Sequence, residues 1–179
     1  ADSLSQLANS GFVAPNAACV SIAQDRVEEK TFFTRCAIET GIFPAPHAII
    51  SNESDRANVS LDLLPGILKT ARLGYDGKGQ VRVKTIDELH IAYQGMNGVV
   101  CVLEKMLPLA YEISVLVARG VDGQAVVYPI AENVHRDGIL FTTTVPSEHV
   151  SKQAASKAQK AALELIADIE YVGVLCIEF

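Results

Sequence analysis

Hydrophobic residues in this chain fall into short runs that suit strands and two longer stretches at helical spacing. Residues 3–9 read as a short helix, followed by Gly11, the strand-like Phe12-Val13 and a turn at Pro15-Asn16. From Ser21, the residues Ile22, Val27, Phe32, Phe33, Cys36 and Ala37 share one side of a helix that Gly41 and Pro44 end. Pro44 and Pro46 frame a linker into a short strand at 48–50, and the polar stretch 51–60 reads as a surface loop or irregular helix. Pro65-Gly66 launches a strand at 67–70. Thr85-Ile86-Asp87-Glu88 has the form of a capping box and opens a helix to Tyr93 or Gln94, which Gly98 closes.

The second half of the chain reads mainly as strands. A strand at 99–103 runs into Glu104-Lys105-Met106-Leu107-Pro108, and residues 112–118 alternate with Glu112, Ser114 and Leu116 on a more polar face. Asp122-Gly123 marks a hairpin turn, 124–130 returns, and 132–138 reads as a dense polar loop carrying His135 before a strand at 139–145. After Pro146-Ser147 a long helix carries the stripe Val150, Ala154, Ala158, Ala161, Leu165 and Ile169. Residues 171–179 form a last strand, with Glu178 on the face of Val172, Val174 and Cys176.

Composition narrows the class. A chain of 179 residues, 49% hydrophobic, supports a packed core and excludes disorder. A net charge of −6 argues against nucleic acid as the main partner. Cys19, Cys36, Cys101 and Cys176 lack metal-ligand spacing and read as reduced thiols of a cytoplasmic protein. Neither a signal segment nor an apolar run of membrane-spanning length is present, so no membrane partner is expected. The chain opens on Ala1 and stops at Phe179 inside a strand-like run, so both ends read as cuts.

The stretch with most chemistry is Gly74-Tyr75-Asp76-Gly77-Lys78-Gly79-Gln80, bracketed by two strand-like runs. Its glycines let backbone N–H groups converge on an anion, and Lys69 and Lys78 supply charge, so it suits a phosphate clamp. A plain hairpin with a permissive turn fits equally well, and the spacing matches neither the Walker loop nor the dinucleotide fingerprint. Lys69 inside an apolar strand needs an anion or a route to solvent. Arg26 and Lys30 lie one helical turn apart and, taken alone, read as solvated charge balanced by Asp25, Glu28 and Glu29. Glu178 suits a divalent metal or a salt bridge.

Taken together, Ala23-Gln24-Asp25-Arg26, Glu29-Lys30, Ile67-Leu68-Lys69-Thr70, the loop from Gly74 to Gln80, Glu104, Glu112, the Glu132-Asn133-Val134-His135-Arg136-Asp137-Gly138-Ile139-Leu140 block and Tyr171-Val172-Gly173-Val174 with Glu178 resemble the ATP-grasp family. Within it they resemble the N5-carboxyaminoimidazole ribonucleotide synthetases. The resemblance implies an α+β fold: a tail of a preceding domain at 1–20, a small α/β lid subdomain at 21–103, and the start of a larger antiparallel-sheet subdomain at 104–179. It implies ATP and Mg²⁺ as cofactors, and 5-aminoimidazole ribonucleotide and bicarbonate as substrates reacting through carboxyphosphate. Arg26 and Lys69 are then expected on the nucleotide phosphates, with Gly74, Tyr75, Asp76, Gly77, Lys78, Gly79 and Gln80 as a mobile cover. Glu104, Lys105, Met106 and Leu107 are expected at adenine, Glu112 at ribose, and His135 as a further nucleotide contact. Tyr75 and Lys78 are expected to reach the ribonucleotide as catalytic residues, and Glu178 to be a metal carboxylate. The resemblance also implies a homodimeric full-length enzyme and an inactive isolated fragment. Another ATP-grasp carboxylate–amine ligase and a non-catalytic nucleotide-binding module are the alternatives.

Overall fold

The computed structural model describes residues 1–74, 79–136 and 138–179. In chain order the helices are α1 (Asp2–Ala8), α2 (Ala17–Gln24), α3 (Arg26–Thr40), α4 (Glu53–Ala57), α5 (Ile86–Gly95) and α6 (Lys152–Asp168). The strands are β1 (His47–Ile50), β2 (Gly66–Thr70), β3 (Gln80–Val83), β4 (Cys101–Lys105), β5 (Glu112–Arg119), β6 (Ala125–Val127), β7 (Ala131–Arg136), β8 (Ile139–Thr144) and β9 (Gly173–Glu178). They form two compact units: a first of Ile22–Arg35 and Phe43–Pro108, and a second of Ala1–Ser21, Cys36–Ile42 and Leu109–Phe179. The fold is mixed α/β, with helices and antiparallel sheet in each unit.

The first unit holds an antiparallel sheet in the order β1-β4-β2-β3. Side chains alternate across a strand, so each strand here serves two environments. Ile50, Leu68, Val83, Cys101 and Leu103 point to one face and pack with Leu63 and with Leu89, Ala92 and Tyr93 of α5 into a single core. The opposite face carries Ile67 and Lys69 of β2 with Val102 and Glu104 of β4, since Ile67 stands across from Glu104 and Lys69 across from Val102. Lys69 therefore does not interrupt the core. It belongs to the other side of the sheet.

Local chemistry places the helices. Thr85 caps α5 by accepting from the Glu88 N–H at 3.2 Å, while the Glu88 carboxylate accepts from the Lys84 N–H at 2.7 Å. The single helix expected from Ser21 is two, because Asp25 breaks it: its carboxylate accepts the Val27 N–H at 2.9 Å, as a helix-starting Asp does.

In the second unit β5 is central, with β9 along one edge and β6 and β7 along the other, and β8 outside β7. Ile113, Val115, Val117 and Ile177 are buried, as are Ala158, Ala161, Ala162, Leu165 and Ile166 of α6, which packs on β5 and β6. Ser151 caps α6 through the Ala154 N–H at 3.2 Å. The polar stretch expected as a loop at 132–138 is largely strand β7, joined to β8 with a register shift at Val134/His135. Polar residues can occupy this strand because Asn133, though buried, donates to Ser114 Oγ at 2.6 Å and accepts from Thr143 Oγ1 at 3.0 Å. Among the described residues no helix is long and apolar enough to cross a membrane.

Gly66 lets β2 start where it does. A Cβ there would lie 2.6 Å from the Leu63 carbonyl oxygen and 2.9 Å from that of Glu104, both backbone atoms that cannot step aside. Gly66→Ala should lower stability by about 1–3 kcal/mol and the melting temperature by roughly 3–10 °C. An unchanged thermal melt would contradict this packing.

Candidate functional site

The sheet face opposite the first unit's core meets the beginning of α3, and charged side chains collect there. The Arg26 N–H donates to the Ala71 carbonyl at 2.9 Å, and the Arg26 guanidinium donates to the Thr70 carbonyl at 2.8 Å. These bonds fasten the N-terminus of α3 to the exit of β2. Arg72 reinforces the joint by donating to Asp25 at 2.7 Å. Burial works to raise the Asp25 pKa, but the Arg72 contact and the bond from the Val27 N–H outweigh it and hold the carboxyl below its ordinary value.

Glu104 sits at the centre. Its Oε2 accepts from Lys69 Nζ at 3.0 Å and its Oε1 accepts from Lys30 Nζ at 3.2 Å. Lys69 reaches it along the sheet face, as a diagonal neighbour across the β2–β4 ladder. Lys30 reaches it from α3, one turn after Arg26. The Lys30, Lys69 and Glu104 side chains are only 13%, 22% and 12% exposed, so these are not solvated surface pairs. Burial alone would raise the Glu104 pKa, but the two ammonium charges and their hydrogen bonds override it and lower it. Glu29, on the same turn of α3, shows the opposite outcome: burial, with a contribution from the Glu104 charge, raises its pKa despite Lys30, Arg26 and Lys69.

Beside this cluster a recess of about 510 Å³ is lined by Ala23, Gln24, Arg26, Glu29, Ala71 and Arg72, with Leu73 and Gly74 where the glycine-rich loop begins. The far end of that loop returns at Gly79, whose carbonyl accepts from the Thr70 N–H at 2.8 Å. Gly79 has φ +72°, and a Cβ on it would lie 2.7 Å from Thr70 Oγ1, so glycine is required at this return. Gln80 follows on β3, opposite Lys69. Tyr75, Asp76, Gly77 and Lys78 lie outside the described residues. A larger recess of about 640 Å³, beside β1 and α4, is lined without a lysine or arginine and is less suited to an anion.

Beyond Glu104 the chain leaves the sheet held by its backbone: the Lys105 N–H donates to the Pro46 carbonyl at 2.8 Å and the Met106 N–H to the Pro65 carbonyl at 2.9 Å. Met106 and Leu107 are each 40% exposed.

The remaining candidates belong to the second unit. Glu112 of β5 and His135 of β7 are paired through Glu112 Oε2 and His135 Nδ1 at 2.5 Å. Glu178 of β9 stands opposite Ser114, on the sheet face that also carries Glu112 and Asn133. The sequence places Glu178 on a largely apolar face in need of a partner. That face is exposed at Val174, Cys176 and Glu178, while Ile177 turns into the core. Among the described residues no group of three or more His, Cys, Asp or Glu side chains is placed to hold a metal ion.

Lys30 is the site residue that the sequence leaves as solvated charge. Its spacing of four from Arg26 was the available signal, and what it lacked was the location of Glu104, far along the chain.

A model of the ATP-grasp domain matches residues 35–179. The chain belongs to the ATP-grasp family. It is 42% identical over 178 residues to the N5-carboxyaminoimidazole ribonucleotide synthase of Brucella melitensis, covering 97% of this chain and 48% of that protein. It is 33% identical to the Bacillus subtilis protein of the same name, covering 99% of this chain and 46% of the relative. Among solved structures, N5-carboxyaminoimidazole ribonucleotide synthetase from Thermus thermophilus superposes with a TM-score of 0.86 at 32% identity, over 99% of this chain and 47% of that one. The chain thus spans about half the length of the curated relatives it matches.

The Glu104 pairs carry a signed pH dependence. A carboxyl whose pKa is depressed on folding stabilises the fold above its unfolded value, and that contribution is lost as pH falls through the lower folded value. Glu29, raised on folding, has the opposite sign: its contribution is present below its unfolded pKa and is lost as pH rises through the folded one. Denaturant unfolding between about pH 6 and about pH 3 should therefore show Glu104→Gln losing less stability on acidification than the wild type. Parallel curves for the two proteins would contradict the depressed Glu104 pKa.

Proposed function

We propose that this chain is the nucleotide-binding part of an ATP-dependent ligase that carboxylates 5-aminoimidazole ribonucleotide with bicarbonate, giving N5-carboxyaminoimidazole ribonucleotide, ADP and phosphate. The observation that carries this reading is the placement of Lys69 and Arg26 at the exit of β2, beside Glu104 and both ends of the glycine-rich loop. Membership of the ATP-grasp family supports ATP chemistry, and the Brucella and Bacillus relatives support the choice of substrates. An N5-carboxyaminoimidazole synthetase from Staphylococcus aureus, 31% identical with a TM-score of 0.84, was solved with ADP, which supports nucleotide binding in particular.

The residues present fit a nucleotide. Phosphoryl transfer depends on positioning and on neutralising charge over the phosphate oxygens; Arg26 lines the recess, and Lys69 lies two residues before Ala71, which lines it too. ATP is the phosphoryl donor that activates bicarbonate. Gly74, Tyr75, Asp76, Gly77, Lys78, Gly79 and Gln80 cover the phosphates and keep water from the activated acid, with Tyr75 and Lys78 also reaching the ribonucleotide. Glu104, Lys105, Met106 and Leu107 line the adenine, Glu112 meets the ribose, and His135, oriented by Glu112, is a further contact. Glu178 would offer Mg²⁺ one carboxylate, with the phosphates of a bound nucleotide as further oxygen ligands. The full-length enzyme is proposed to act as a cytoplasmic homodimer.

Calorimetric titration should show the chain binding ADP and Lys69→Met weakening that binding by roughly tenfold or more, the loss expected for one charge-assisted contact. The full-length gene product should consume 5-aminoimidazole ribonucleotide only with both ATP and bicarbonate. A chain that does not bind ADP, or a full-length protein that hydrolyses ATP without regard to the ribonucleotide, would overturn the reading.

A further inference from the structure

Glu104 is held by two lysines, one on each carboxylate oxygen, and the two are not equivalent in place. Lys69 lies on β2 one residue before Thr70, whose backbone bonds to Arg26 and to Gly79 at the return of the glycine-rich loop. It stands two residues before Ala71, which lines the recess. Lys30 comes from α3, and its side chain is 13% exposed. An ammonium shared between a phosphate oxygen and Glu104 serves each less strongly than it serves one alone, so recruitment of Lys69 weakens its hold on a carboxylate that is 12% exposed. A carboxylate so enclosed is costly to leave without a partner.

We propose that Lys30 is a positioning residue for nucleotide binding: it keeps Glu104 paired while Lys69 exchanges the carboxylate for a phosphate, so that Lys69 is available to the ligand. The inference rests on the nucleotide reading above. One further observation supports it. Lys30 and Lys69 take different oxygens of Glu104, so one can leave without disturbing the other.

A double-mutant cycle on the full 179-residue chain tests this, with ADP as the probe and calorimetry as the readout. Lys30→Met should weaken ADP binding roughly tenfold in the wild-type background, because among the described residues Lys69 is then the lysine left to Glu104. In a Glu104→Gln background, where Lys69 is not held by charge, the same substitution should change ADP affinity by less than about threefold. Lys30→Arg, which keeps the cation, should bind ADP within about threefold of wild type. Should Lys30→Met fail to fold, Lys30→Gln makes the same comparison while keeping a hydrogen bond to the carboxylate.

Equal losses in both backgrounds would mean that Lys30 attracts the nucleotide by its own charge, and would overturn the proposal. Unchanged ADP affinity in Lys30→Met would overturn it too. Absence of ADP binding in the wild type would instead overturn the nucleotide reading, and the inference with it.

Discussion

The charge balance around Glu104 is the constraint on which the first unit depends. A carboxylate on a sheet face, almost withdrawn from water, is tolerated because Lys69 and Lys30 supply a cation to each oxygen. Removing one partner of a fully buried pair costs on the order of 3–5 kcal/mol, and these side chains, at 12–22% exposed, sit somewhat below that range. The pairs also join three elements: β4 carries Glu104, β2 carries Lys69 and α3 carries Lys30. The ion cluster that makes the site chemically distinctive is thus also a tie between the helix and the sheet.

Both units use one structural rule in the same way. An antiparallel sheet gives one face to a helix and leaves the other for polar groups. In the first unit α5 covers Leu68, Val83 and Leu103, which leaves Ile67, Lys69 and Glu104 for the opposite face. In the second, burial of Ile113, Val115, Val117 and Ile177 leaves Glu112, Asn133 and Glu178 together on the other side. The placement of Lys69, Glu104, Glu112 and Glu178 follows from which parity the core selects, and a one-residue slip of β2 or β5 would bury the site and expose the core.

Much of this was legible in the sequence because the signals were local. The Thr85 cap, the Asp122-Gly123 turn, the strand leading into the glycine-rich loop and the long α6 stripe depend on neighbours within a few residues. The misreadings came from partners far along the chain. The stretch at 132–138 looks too polar for a strand until Ser114 and Thr143 satisfy Asn133. Lys30 looks solvated until Glu104 arrives from β4. Glu178 looks stranded among apolar neighbours because alternation gives the period of a strand without saying which face the core takes. Resemblance to ATP-grasp ligases named the candidate contacts without revealing that Glu104 shares two lysines.

A crystal structure of the chain with ADP bound is the most direct measurement of whether the Glu104 pairs serve nucleotide binding. The proposed exchange puts Lys69 Nζ on a phosphate oxygen and no longer on Glu104, with Lys30 still paired to the carboxylate. ADP bound with Lys69 still on Glu104, or seated away from the end of β2, would contradict it.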